Sequence, residues 1–113
     1  MFRISASPAY WAKVEVPVKD ESGKDQIMKF DAQFKRVTQE ELEELIERGR
    51  RGQLPDAQLL DQVWLNWRGV GDEAGEELSF NATNRARLCA IVPTQACVVR
   101  TFFSSIGSAR LGN

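Results

Sequence analysis

Apolar and polar residues alternate through Val14, Val16 and Val18 on one side and Lys13, Glu15 and Lys19 on the other, the period of a half-buried strand. The alternation returns with Met28, Phe30, Ala32 and Phe34 against Lys29, Asp31, Gln33 and Lys35. Between the two runs lies Asp20-Glu-Ser-Gly-Lys24, turn chemistry in which Gly23 is free to take a positive φ. Together they predict an antiparallel hairpin with strands over residues 10–19 and 26–36. Pairing Val16 with Met28 and Val14 with Phe30 sets both apolar rows on one face. Pro17 falls on the polar face and has no amide proton, which suits an edge strand. A lone hairpin is only marginally stable in water, so the apolar face must pack on helices or on another chain's sheet.

After Thr38 the period changes to that of helices. Thr38-Gln-Glu-Glu41 is a capping box opening a helix over 38–50. Acidic residues gather at its start and Arg48, Arg50 and Arg51 at its end, matching the helix dipole, and Glu44–Arg48 and Glu47–Arg51 are spaced to pair. Val37, Leu42, Leu45 and Ile46 form a narrow apolar stripe, and Gly49 or Gly52 ends the helix. A second helix is predicted over 56–67, where Leu59, Leu60, Val63, Trp64 and Trp67 make a broad apolar face; Arg68-Gly-Val-Gly71 breaks it. Asp72 to Glu77 reads as a polar loop, and Leu78 to Phe80 returns the chain to the core. Asn81 or Thr83 caps a third helix over 82–92, with Leu88, Ile91 and Val92 inward. Pro93 precedes a fourth helix over 94–109, in which Val98, Val99, Phe102, Phe103 and Ile106 repeat the spacing of the second. The expected fold class is α+β: a flexible arm over 1–9, with Phe2 and Ile4 available to dock, and a single domain over 10–113.

Composition narrows the chemistry. The chain has 113 residues, 42% of them apolar, enough for one core without metal or disulfide support. Its 15 basic and 16 acidic side chains leave a net charge of −1, so no global field favours nucleic acid or an anionic membrane. Histidine is absent, which removes the commonest general base and zinc ligand. Cys89 and Cys97 lack the company a zinc site needs and read as small buried residues. Asp72, Glu73, Glu76 and Glu77 lack the spacing of a calcium loop, and the carboxylates of the 40–47 stretch lie on a solvated, arginine-balanced face. No cofactor, metal or catalytic set is expected. Arg85, Arg87, Arg100 and Arg110 make the second half more basic, but the final helix carries Val98, Val99, Phe102 and Phe103 where a DNA reader needs polar groups. With neither a secretory leader nor a run of eighteen apolar residues, the expected compartment is the cytoplasm.

One longer pattern is more specific. Val63 to Leu88 reads VWLNWRGVGDEAGEELSFNATNRARL, and the sequence closes on Ala109-Arg110-Leu-Gly-Asn113. With Phe30 and Phe34 before the Thr38 capping box, Leu60, Val63 and Trp67, then Gly69-Val70, Asp72, Gly75, Leu78 and Phe80, and Phe102-Phe103 near the end, it resembles the tail assembly chaperones of long-tailed phages and prophages. The likeness spans residues 26 to 113. It implies a non-enzymatic chaperone that coats the long helical tape measure protein in the host cytoplasm. Such a protein keeps its client soluble, is displaced as tube subunits assemble, and is not expected in the mature virion. Family members are also made in a longer frameshifted form whose extension recruits the tail tube protein. The expected client-binding residues are Phe102, Phe103 and Ile106, with self-association through the Pro17 edge. The rival readings are a structural minor tail protein retained in the virion and, behind it, a small DNA-binding regulator.

Overall fold

The strand pattern closes as the alternation requires. In the computed structural model, which describes residues 1–107, β1 (Ala9–Lys19) and β2 (Asp25–Lys35) form an antiparallel hairpin pairing Val14 with Phe30 and Val16 with Met28. Gly23 turns the chain at φ 85°. The helices are α1 (Gln39–Arg50), α2 (Asp56–Val63), α3 (Ala82–Cys89) and α4 (Thr94–Ser105), and a third strand, β3 (Trp64–Arg68), pairs with β2. The sheet order is β1-β2-β3, which leaves β1, with Pro17, on an edge. The fold is α+β.

Val14, Val16, Phe30, Ala32 and Phe34 from the sheet meet Leu59, Leu60, Val63, Cys97, Val98 and Phe102 from the helices in one core. Met28 departs from expectation: it lies on the inner face yet is 55% exposed. An open cleft of about 230 Å³, lined also by Val16, Val18, Leu88 and Ile91, lies over it in place of a packed side chain.

The larger correction concerns the second helix. It stops at Val63 instead of running to residue 67, and Trp64 opens β3. Gln33 pairs with Asn66 but Phe34 pairs with Trp64, so Leu65 is an extra residue in the ladder. In a regular strand, positions three apart face opposite ways. The bulge restores them to one face, and both tryptophans are buried. A bulged strand thus presents the spacing of a helix. Both indole donors are satisfied, Trp64 Nε1 by the Asn66 carbonyl at 3.0 Å and Trp67 Nε1 by the Leu78 carbonyl at 2.8 Å. Phe80 closes over this pair, its ring 5.1 Å from that of Trp67.

The remaining helices follow their caps. Thr38 and Glu41 form the capping box in both directions, and Gly52, at φ 71°, turns the chain after α1 while Gly49 stays within it. Glu47 pairs with Arg51 at 3.0 Å and with Arg50 at 3.6 Å, whereas the expected Glu44–Arg48 pair is not among the ion pairs of the described residues. Asn81 caps α3, accepting from the Asn84 amide. That helix ends at Cys89 instead of 92, because Pro93 cannot donate to a continuing ladder and its predecessor disfavours helical geometry. Ile91 and Val92, expected inward, are exposed. Helix α4 ends at Ser105 instead of 109: Ile106 caps it and Gly107 takes φ 89°. Residues 108 and 109 of that expectation, and the Ala109–Asn113 ending, lie outside the described residues.

Candidate partner-binding groove

Helix α4 carries more apolar side chains than the sheet can cover. Cys97, Val98 and Phe102 face the core, and Phe102 is fully buried with its ring edge-on to Phe34 at 5.3 Å. Val99 and Phe103 lie farther round the helix and are only partly buried. Opposite them α1 presents Leu45, Ile46 and Gly49, and the connection into α2 adds Leu54, Asp56 and Leu59. Between these walls runs an open groove of about 600 Å³, whose polar lining is Asp56, Arg100 and Ser104.

Gly49 shapes this opening. A Cβ added there meets no atom within 4 Å, so the missing side chain leaves space at the wall instead of relieving a clash. A glycine inside a helix costs ~0.5–1 kcal/mol relative to alanine, and no positive φ at Gly49 requires one.

The three residues expected to bind a partner separate. Phe103 lines the groove. Phe102 lies beneath it, its ring 5.2 Å from that of Phe103, and belongs to the core. Ile106 packs partly against the core at the end of α4 and is not part of the lining. The opposite wall was not foreseen as a binding surface, although Leu45, Ile46 and Gly49 follow each other along one side of the narrow α1 stripe. That a glycine so placed opens a groove depends on the distant α4, which sequence spacing does not specify.

The other chemical candidates are occupied by structural work. Asp72 Oδ1 accepts from the amides of Ala74 and Glu76, at 2.9 and 3.0 Å. Asp20 does the same for Ser22 and Lys24. The two acidic loops are therefore one turn used twice, each with a glycine three residues after the aspartate at φ 82–85°. The Ser22 hydroxyl, which also donates to Asp20 at 2.8 Å, and then the Lys24 amide hold the Asp20 carboxyl below its ordinary range. Among the described residues no three His, Cys, Asp or Glu side chains come together as a metal site. Arg85 is held by the Ala57 carbonyl at 3.1 Å and by Asp61 at 2.8 Å, with its guanidinium near the Trp64 ring. It borders a cleft of about 410 Å³ between α2 and α3 that also contains Cys89. Burial raises the Cys89 thiol pKa, and Arg85 pulls it the other way; a thiol so protonated is a poor nucleophile. Arg87 donates to Asn84, Arg100 borders the groove, and Arg110 lies outside the described residues.

No single helix among the described residues is long and apolar enough to cross a membrane; α3 and α4 reach that composition only jointly, bent by 103°. No family model, curated protein or solved structure matches the chain.

Proposed function

We propose that the protein is a non-enzymatic tail assembly chaperone that binds and solubilises the tape measure protein of a long-tailed phage or prophage, through the groove between α1 and α4. The observation that carries this reading is the groove itself. It is open, about 600 Å³ in volume, walled by Leu45, Ile46, Leu54, Leu59, Val99 and Phe103, and bordered by few polar groups. An amphipathic helix laying its apolar side chains into such a trough is a common mode of peptide recognition. A tape measure protein offers that surface over a great length, so many weakly bound copies can act together. The groove's polar lining of Asp56, Arg100 and Ser104 assembles no general base with a nucleophile, which favours binding over catalysis. The Val63–Leu88 pattern that resembles the family runs from the last residue of α2 through β3 and the turn after it into α3.

In this reading the chaperone acts in the host cytoplasm, leaves as tail tube subunits assemble, and engages them through a longer frameshifted form. A helical segment of the tape measure protein titrated into labelled chaperone should shift the signals of Ile46, Leu54, Val99 and Phe103. Shifts confined to the basic side chains of α3, or to none, would reject the groove. Mass spectrometry of purified virions should find the chain missing; its presence at stoichiometric level would identify a structural tail protein instead.

A further inference from the structure

The two edges of the sheet differ. At the ends of the hairpin the Arg36 amide donates to the Pro8 carbonyl and the Asp20 amide to the Lys24 carbonyl, each at 2.8 Å. Bonded pairs recur at every second residue of an antiparallel ladder, so the even-numbered residues of β1 bond to β2. Trp11, Lys13 and Glu15 therefore turn their amides and carbonyls away from β2, and Pro17 its carbonyl. Among the described residues no second strand lies along that side of β1. The opposite edge is closed. Strand β3 is five residues long and bulged, and Asn66 Oδ1 takes its outward-facing Trp67 amide at 2.9 Å; shortness and bulging are ways in which proteins blunt an edge. Strand β1 is eleven residues long, with Pro17 as its one missing donor.

The order of side chains along β1 selects what fits against it. Lys13 and Glu15 are exposed, carry opposite charges and share the outer face. A second β1 laid antiparallel bonds only with odd-numbered residues opposite odd-numbered ones. Around the middle of the strand that sets Lys13 on Lys13, Glu15 on Glu15, or Lys13 on Glu15. Like charges directly opposite are unfavourable and opposite charges favourable, so the third register alone is self-complementary. We propose that two copies pair through β1 in that register, about a twofold axis at Val14, joining their three-stranded sheets into one. Lys13 of each copy meets Glu15 of the other and exchanges both backbone bonds with it. Trp11, 37% exposed, comes opposite Pro17, and its amide donates to the Pro17 carbonyl. About six intermolecular backbone bonds result, and the missing proline amide leaves only the Trp11 carbonyl to water. The contact is isologous and closes at the pair. It uses no residue of the α1/α4 groove lining, so it stands apart from the client assignment, and each pair carries two grooves.

The test is charge exchange in the full chain. Sedimentation of the wild type over roughly 10–500 μM should give a weight-average mass that rises toward twice the 12.7 kDa monomer and no further. Lys13→Glu and Glu15→Lys should each stay monomeric, since each sets like charges opposite at two places. Mixed, they should form a one-to-one heterodimer. The double variant, Lys13→Glu with Glu15→Lys, should pair as the wild type does. Within its own hairpin that variant sets like charges against Asp31 and Lys29, so recovered association reports the contact between copies and not the stability of the strand. A wild type that is monomeric throughout overturns the proposal and means that α4, which packs on β1, screens the edge. Single variants that associate as well as the wild type, a mixture that stays monomeric, or growth beyond the dimer overturn it as well.

Discussion

Adjacent phenylalanines in α4 should behave oppositely. Phe102 is fully buried and packs edge-on against Phe34, so Phe102→Ala removes a whole side chain from a filled site, at about 3–5 kcal/mol. Phe103 is half-buried at the groove wall. Its truncation forfeits about half of the ~1.5–3 kcal/mol for full burial and part of one aromatic pairing, about 1–2 kcal/mol in all. Urea denaturation followed through the buried Trp64 and Trp67 should therefore separate the variants by ~2–3 kcal/mol, roughly a 30- to 150-fold difference in the unfolding equilibrium. A domain of this size with ~5–15 kcal/mol of stability remains folded as Phe103→Ala, and in the lower part of that range is severely compromised as Phe102→Ala. The same pair separates fold from function: Phe103→Ala should keep the native transition and lose client binding. Equal destabilisation by the two substitutions would refute the division of α4 into a core face and a groove face. A cost below ~1 kcal/mol for Phe102→Ala would refute its place in the core.

Three further predictions follow from other elements. Gly49→Ala should raise stability by ~0.5–1 kcal/mol in a thermal or denaturant melt, since the helix gains and nothing is displaced, whereas Gly49→Leu should hold the fold and weaken client binding in a titration. The Glu41 carboxyl is held below its ordinary value of 4.5 by the Lys35 side chain and the Thr38 amide. The resulting stability is present above pH 4.5 and is lost as pH falls through the lowered value. Acid denaturation of Glu41→Gln, which keeps the cap acceptor but cannot titrate, should show a shallower loss over that window. Asp72→Ala removes the one carboxylate oxygen that accepts from two backbone amides in an exposed turn and should cost ~0.5–1.5 kcal/mol; added calcium should leave the melting temperature of wild type and variant unchanged.

The hairpin was legible to the register because period-two patterning, turn glycine and edge proline all agree, and a one-residue slip would turn Val14, Val16, Phe30 and Phe34 to solvent. The capping box located α1 equally well, since its signal is local. Trp64 and Trp67 misled because a bulged strand and a helix share their spacing, and only pairing with β2 distinguishes them. Met28, Ile91 and Val92 read as core because periodicity assigns a face to each residue but not the cover over it. Phe103 was legible as part of an over-wide apolar helix face. The α1 wall was not, because the groove is a relation between two helices some fifty residues apart.

Co-expression with the tape measure protein, followed by pull-down and sizing, tests the central claim most directly. Wild type should yield a soluble complex with many copies of this chain per client, and Phe103→Asp, folded by circular dichroism, should leave the client in the insoluble fraction. A client that stays insoluble beside wild type, or is solubilised equally by Phe103→Asp, would contradict the account.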